Sequence, residues 1–172
     1  MQGKQESSRV KGEFLVVSNS SVIIALTRIC HLDLLEKLFG KILTPEAVWR
    51  ETTVEDKPGY EKIVKAEFLH VEKAGNRRLV ALFEEFVDSG EAEAIALALE
   101  LNADLLLVDD RDARNLAKKL GLRVMGTLGV IALAKYKGLI PKAKPIVVAL
   151  IESGFWISKK ILGEFLRELG EH

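Results

Sequence analysis

Residues 103–114 read ADLLLVDDRDAR and contain the strongest strand signal of the chain. Four successive apolar residues at 105–108 are typical of a strand buried on both faces of a parallel sheet. Asp109 and Asp110 follow directly, and a helical pattern begins after Asp112. Ligands of open α/β sheets bind beyond the carboxyl ends of the strands, where carboxylates suit a hard divalent cation. The stretch therefore predicts an α/β fold with a metal site at one edge of its sheet.

The composition of this 172-residue chain is typical of one globular domain. Lys plus Arg number 25 and Asp plus Glu also number 25, so no overall basic charge indicates nucleic acid. A nucleic-acid role would therefore need a local basic patch. Cys30 is the single cysteine, which excludes a disulfide framework and a cysteine-based zinc site, and we expect it to be buried.

The first residues and the hydropathy pattern bear on targeting. Residues 1–12 are polar and lack the apolar core of a signal peptide, so we expect a flexible tail before a single domain at 13–172. No apolar run approaches the ~18 residues that a membrane span needs. We therefore expect a cytoplasmic protein without a membrane partner.

Short apolar strands alternate with amphipathic helices along the chain. We predict strands at 13–18, 41–43, 68–71 (at a sheet edge), 105–108 and 122–125. We predict helices at 22–30, 32–38, 44–54, 60–65, 76–86, 91–101, 115–120, 127–138, 146–151 and 159–169. The alternation predicts a parallel sheet covered by helices on both faces. Neither GxGxxG nor GxxxxGK(S/T) occurs, which argues against the phosphate-loop folds of this class.

Polar side chains follow the two strongest strands. Asn19 and Ser20 come after the first strand, and Asp109 and Asp110 come after the strand at 105–108. Because parallel βα units place all strand ends on one edge, we expect these residues to be neighbours in space. Asn19 can also be a helix N-cap, and one of the two aspartates can cap the following helix while the other is functional.

Helices can bring further acids to this edge. Glu51 lies in one predicted helix, and Glu91 or Glu93 begins another. Each also has a structural interpretation, since Glu51 can be a solvated helix residue and Glu93 an exposed acid of a first turn. Glu91 can form a capping box with Asp88, and Asp112 can cap the helix that follows it. Several carboxylates around one point repel one another, so such a cluster needs a metal or raised pKa values.

Two stretches of the chain resemble the PIN-domain nuclease superfamily, and within it a prokaryotic branch near the VapC toxins of toxin–antitoxin pairs. The first begins VVSNSSVIIALTRIC and extends through TPEAVWRET, and the second reads GEAEAIALALELNADLLLVDDRDAR. The resemblance covers about residues 15–140. It implies a three-layer α/β/α sandwich with a central, mainly parallel sheet, and cleavage of single-stranded RNA assisted by Mg²⁺ or Mn²⁺.

The first motif of this family is an aspartate followed by Thr or Ser and then Ser, directly after a strand. Asn19, Ser20 and Ser21 stand at these positions. The resemblance implies that Asn19 ligates the metal and that Ser20 hydrogen-bonds a ligand or phosphate. An amide oxygen still ligates hard cations, but the lost negative charge weakens metal binding. A second function therefore stays open: a PIN-like module with a decayed catalytic site that binds RNA or protein.

The other three motifs each contribute an acid. Glu51 matches the glutamate within a helix, and Asp110 matches the acid just past the central strand. The acid that opens an alanine-rich helix corresponds to Glu91, with Glu93 as its rival. The resemblance implies Glu91, Asp110 and the adjacent Asp109 as metal ligands, and Glu51 as the residue that orients a ligand or water. Of the two aspartates, it favours Asp110 as the ligand and Asp109 as the support of the following helix.

Basic side chains flank the predicted acid edge. Arg111, Arg114, Lys118 and Lys119 can guide an RNA backbone, or they can form a solvated helix face. The resemblance further implies an antitoxin protein as a possible partner and a homodimer. We expect the apolar C-terminal segment around Trp156 to complete the core.

Overall fold

The computed structural model describes residues 12–172, so the predicted tail lies outside the described residues except for Gly12. The sheet consists of β1 (Val16–Ser18), β2 (Ile42–Pro45), β3 (Leu69–Glu72), β4 (Leu105–Leu107) and β5 (Val124–Met125). The helices are α1 (Ser20–Arg28), α2 (Asp33–Phe39), α3 (Glu46–Thr52), α4 (Tyr60–Val64), α5 (Arg77–Phe83), α6 (Ser89–Glu100), α7 (Arg111–Lys119), α8 (Thr127–Tyr136), α9 (Lys144–Glu152) and α10 (Lys159–Glu168). The strand order is β3-β2-β1-β4-β5, and every neighbouring pair is parallel.

Helices cover both faces of this sheet. Val17 and Leu106 pack in a core with α5, α6 and α7, whereas Val16 and Leu107 pack in a second core with α1, α2 and α8. A third cluster joins α9 and α10 to α1, α2 and α8. The predicted three-layer α/β/α sandwich with a parallel sheet is therefore confirmed. Across residues 12–172, none of the helices has both the length and the apolar character needed to cross a membrane.

The strand register places the residues that follow β1 and β4 side by side. Ser18 pairs with Leu107, and the backbone N–H of Asn19 donates to the carbonyl of Leu107 at 2.8 Å. The backbone N–H of Asp109 donates to Ser21 Oγ at 3.3 Å. The predicted meeting of the two strand ends is confirmed, and β3 is the edge strand that the sequence predicts.

The starts of α7 and α3 differ from the predicted ones, and capping explains both differences. Helix α7 begins at Arg111 rather than at 115, because Asp110 caps it and supplies the first-turn acceptor. The helix predicted to open with Thr44 begins instead at Glu46. Thr44 is fully buried in β2, and Pro45 takes the N-cap position.

Two apolar residues lie on the surface against expectation. Cys30 is exposed because the chain turns away just after α1 in a left-handed conformation, with φ 59° at this residue. Trp156 is 83% exposed in the segment between α9 and α10. The adjacent Phe155, and Phe165 in α10, pack partly against the third core, so the segment is anchored while the indole stays outside.

The carboxylate of Glu171 joins the end of the chain to α8 and α9. It accepts hydrogen bonds from Lys135 Nζ at 2.8 Å, from the backbone N–H of Ala143 at 2.9 Å and from that of Lys144 at 3.0 Å. The hydrogen bond from Lys135 is the main reason that the pKa of Glu171 is lowered to about 2, with the two backbone donors adding to it. The ionised form is therefore the one that the fold stabilises.

We expect Glu171→Gln to lower the free energy of unfolding by about 1–3 kcal/mol near neutral pH, since a charged acceptor of three donors is lost. Because the folded pKa lies below the ordinary 4.5, this contribution is present above pH 4.5 and is lost as the pH falls towards 2. Urea unfolding at neutral pH and at about pH 3 measures the difference. Glu168→Gln, at an exposed position of α10, is the control. An equal loss of unfolding free energy in Glu171→Gln at both pH values would contradict this role of the ionised carboxylate.

Candidate active site

Asn19 lies at the centre of the sheet edge and carries a buried oxygen without a partner. The residue is only 3% exposed and takes the N-cap position of α1, but its side chain makes no capping hydrogen bond. Among residues 12–172, its Oδ1 is the one buried side-chain nitrogen or oxygen that lacks a hydrogen-bond partner. Leaving such an acceptor unpaired costs about 1–3 kcal/mol, which a bound ligand would offset.

Helix α3 brings Glu51 to this edge. Glu51 Oε2 accepts a hydrogen bond from Ser20 Oγ at 2.7 Å, so the residue after Asn19 is tied to α3. The same carboxylate lies against Gly90, where a Cβ atom would come within 3.0 Å of its Cδ and 3.1 Å of Oε2. Although Glu51 is exposed as a whole, its carboxylate is thus held between the first turns of α1 and α6.

Glu91 is a buried carboxylate in the first turn of α6. It is 8% exposed and forms the predicted capping box with Asp88, in which Asp88 Oδ1 accepts from the Glu91 backbone N–H at 2.8 Å. Burial is the largest cause that raises the pKa of Glu91 to about 7; the negative charges of Asp88, Asp110 and Glu51 raise it further. The negative charges of three other acids therefore disfavour ionisation of the Glu91 carboxyl group. A cation bound beside it would favour the ionised form.

The two aspartates after β4 have different partners. Asp110 is the N-cap of α7, where its Oδ2 accepts from the Ala113 backbone N–H at 3.0 Å and Oδ1 takes no part in the cap. Asp109 accepts from the backbone N–H of Thr127 at 2.7 Å and from Thr127 Oγ1 at 2.6 Å. The expectation that Asp109 rather than Asp110 supports the following helix is wrong, because Asp110 caps α7 and Asp109 instead binds the first residue of α8. Asp112 is exposed in the first turn of α7, so its alternative role as the cap is wrong.

The carboxylate of Glu93 has structural partners on α3 and α5. The expectation that it is exposed is wrong, since it is only 2% exposed. Its Oε2 accepts from the backbone N–H of Ala47 in the first turn of α3 at 2.8 Å, and its Oε1 pairs with Arg77 Nη1 at 2.8 Å. Glu93 thus joins α6 to α3 and α5.

The donors at this edge suit a hard cation. Within residues 12–172, no three His, Cys, Asp or Glu side chains lie close enough together to form a metal-binding group by themselves. Mg²⁺ does not require such a cage, because it keeps several waters and uses one or two carboxylates. Glu91 and Asp110 provide two carboxylates, and the unpaired Oδ1 of Asn19 provides a third oxygen. The residues therefore fit Mg²⁺ or Mn²⁺ better than zinc.

Only part of the predicted basic patch lies beside the acids. Arg111 and Arg114 line a groove of about 740 Å³ whose wall also includes Asp109 and Asp110. Lys118 and Lys119 are exposed in the last turn of α7 and do not line this groove. At that end they complement the partial negative charge of the helix dipole. The structure thus brings two of the four predicted basic residues to the candidate site.

Sequence reasoning missed the glycines and the threonine that shape the site. Gly90 leaves room for the Glu51 carboxylate, and a Cβ atom at Gly126 would lie 2.7 Å from Asp109 Oδ1. Thr127, predicted only as the start of a helix at 127–138, donates hydrogen bonds to both oxygens of Asp109. A glycine directly before a hydroxyl residue after the last strand was the available signal, because close approach of a side chain requires glycine.

Comparison with known proteins identifies the family. Among curated proteins, none matches this chain. The family model DUF3368, a PIN domain, matches residues 15–171. That span contains every strand and helix from β1 to α10 and extends past the region that carries the sequence resemblance. The chain therefore belongs to the PIN-domain family DUF3368.

Proposed function

We propose that the protein is an endoribonuclease that cleaves single-stranded RNA with the help of Mg²⁺ or Mn²⁺. The observation that carries the proposal is the buried, unpartnered Oδ1 of Asn19 beside an edge that also holds Glu91 and Asp110. Membership of a PIN-domain family supports nuclease chemistry, and a donor set made of oxygens supports a hard cation. The choice of RNA rests on the resemblance of the sequence.

Each residue at this edge has a role in the proposed reaction. Asn19, Glu91 and Asp110 would hold the cation, and Glu51 would keep Ser20 oriented through its 2.7 Å hydrogen bond. When bound, a divalent cation makes water a stronger nucleophile near neutral pH and offsets the charge of the scissile phosphate. The raised pKa of Glu91 means that this residue gives up its proton when a cation binds.

The groove beside α7 supports binding of a nucleic-acid backbone. Arg111 and Arg114 supply positive charge next to Asp110, although the chain as a whole is neutral. These two arginines would attract the phosphates of an RNA towards the acid edge. The VapC branch, the toxin role, the antitoxin partner, the homodimer and the cytoplasmic location remain predictions from the resemblance.

A second function follows from Asn19 itself. The amide carries no charge where the family's motif has a carboxylate, so the site attracts a cation less strongly. If that loss abolishes cleavage, the protein is a PIN-domain module that binds RNA or protein. The Asn19 amide oxygen supports both functions. Its buried, unpaired position suits a metal ligand, but it lacks the negative charge of a carboxylate ligand.

Cleavage of a labelled single-stranded RNA in Mg²⁺ or Mn²⁺ tests the two functions directly. We expect wild-type cleavage that EDTA abolishes, and we expect Asn19→Asp to lower the Mg²⁺ concentration for half-maximal cleavage by roughly 10-fold or more, because a carboxylate replaces a neutral ligand. Asn115→Asp, the same chemical change at an exposed position of α7, is the matched control.

The outcomes separate the alternatives. Cleavage by wild type that disappears with EDTA supports the nuclease. Cleavage that occurs only in Asn19→Asp supports the decayed module. Absence of cleavage in both proteins, with either metal, overturns the nuclease proposal.

A further inference from the structure

The segment between α9 and α10 places two aromatic residues, Phe155 and Trp156, beside the candidate site; we call this pair the aromatic ridge. Trp156 is 83% exposed, while the adjacent Phe155 is partly buried and anchors the segment. The ridge separates the groove of about 740 Å³ from a smaller hollow of about 280 Å³. Phe155, Trp156 and Asp109 line both cavities, so the indole stands between two openings at the edge where the acids lie. An indole this exposed buries little of its apolar surface in the fold.

Two arginines line the groove beside the acids. Arg111 and Arg114 come from α7, and Ser158 and Ile161 at the start of α10 also line the groove. The first turn of α10 contains no acid, and the exposed Lys159 and Lys160 add positive charge there. A negatively charged chain that enters this groove would therefore meet Arg111 and Arg114 beside Asp110, while the two lysines of α10 add positive charge outside the lining.

We propose that Trp156 is a stacking platform for an unpaired base of single-stranded RNA whose backbone lies along Arg111 and Arg114. This inference rests on the proposed function and specifies how its substrate is held. Grooves that combine positive charge with an aromatic side chain bind single strands with little sequence preference, because every base has a π-face. In a duplex both faces of each internal base are already stacked, so the platform also favours single strands over paired RNA.

Binding without cleavage tests the platform. A fluorescein-labelled, mixed-sequence single-stranded RNA of about 16 nucleotides is titrated in EDTA and followed by anisotropy. We expect Trp156→Ala to weaken binding roughly 5- to 100-fold and Trp156→Phe to weaken it less, since a phenyl ring still stacks. Tyr136→Ala is the matched control, because Tyr136 is an aromatic residue 84% exposed at the far end of α8.

Several results would overturn the platform. Wild-type affinity in Trp156→Ala, or an equal loss in Tyr136→Ala, excludes stacking at Trp156. An equal loss of affinity for a fully paired RNA of the same sequence excludes the preference for unpaired bases. A Trp156→Ala protein that changes from dimer to monomer but binds RNA normally assigns the ridge to self-association instead.

A parallel cleavage assay in Mg²⁺ separates this proposal from the nuclease. Cleavage together with unchanged RNA binding in Trp156→Ala overturns the platform alone. Loss of binding in Trp156→Ala without any wild-type cleavage supports the platform and overturns the nuclease. Failure of wild type to bind the single strand overturns both.

Discussion

Asp110→Asn is expected to lower Mg²⁺-dependent cleavage of single-stranded RNA by more than about 100-fold while leaving the fold intact. Asparagine caps helices about as well as aspartate, so the hydrogen bond to the Ala113 backbone survives the change. What disappears is one negative charge of the proposed metal site. The same change removes a charge that raises the pKa of Glu91, so this pKa is expected to fall.

Thermal unfolding and cleavage rates of the same preparations measure the two effects separately. Asp112→Asn is the control, since Asp112 is exposed two positions further along α7 and takes no part in the cap. We expect it to cleave at the wild-type rate. Equal cleavage by Asp110→Asn and wild type would exclude Asp110 from the site, and an unfolded Asp110→Asn protein would mean that its charge is structural.

Glu91→Gln is expected to abolish cleavage and at the same time to stabilise the metal-free protein at neutral pH. The folded pKa of about 7 lies above the ordinary 4.5, so keeping Glu91 ionised in its buried position costs free energy that the unfolded chain does not pay. Glutamine stays neutral and can still complete the capping box with Asp88. The variant should therefore be more stable than wild type by about 1–3 kcal/mol near pH 8.

The pH dependence gives the sign of this effect. In wild type, the stability associated with neutral Glu91 is fully present below about pH 4.5 and is lost as the pH rises through 7. Wild type and Glu91→Gln should thus unfold at similar urea concentrations near pH 4.5 and diverge above it. Excess Mg²⁺ should narrow the gap at high pH if the cation binds the ionised group.

Glu93→Gln provides a contrast on the same helix. Glu93 is as buried as Glu91, but its carboxylate pairs with Arg77 and accepts from the Ala47 backbone. We expect this variant to be destabilised near neutral pH by about 1–3 kcal/mol. A Glu93→Gln protein as stable as wild type, or more stable, would contradict the structural role of the contacts with Arg77 and Ala47.

The sequence was sufficient to predict the layers and the location of the acids. An uninterrupted apolar strand followed by acids, within alternating strands and helices, leaves few topologies, and parallel connections then bring the strand ends together. Asn19 and Asp109 are adjacent for this reason, although about 90 positions separate them in the chain. Long-range proximity was thus predictable from connectivity without knowledge of any side-chain contact.

The roles of neighbouring acids were not predictable in the same way. Asp109 and Asp110 follow the same strand, and only the turn into α7 decides which one caps it and which one reaches Thr127. Glu93 has the local pattern of an exposed acid, but Arg77 and the start of α3 surround it. These outcomes depend on packing between distant helices, and local propensity contains no information about such packing.

The helix that carries Glu91 starts with a residue poorly suited to helices. Gly90, at the second position of α6, sacrifices up to about 1 kcal/mol of helix propensity relative to alanine. In return it allows the carboxylate of Glu51 to approach closer to α6 than any side chain at position 90 would permit. The glycine thus lowers the stability of the helix but lets α3 and α6, which both carry acids, approach each other. A substitution such as Gly90→Ala, although favourable for helix propensity, would push the Glu51 carboxylate away from α6 and separate the acids.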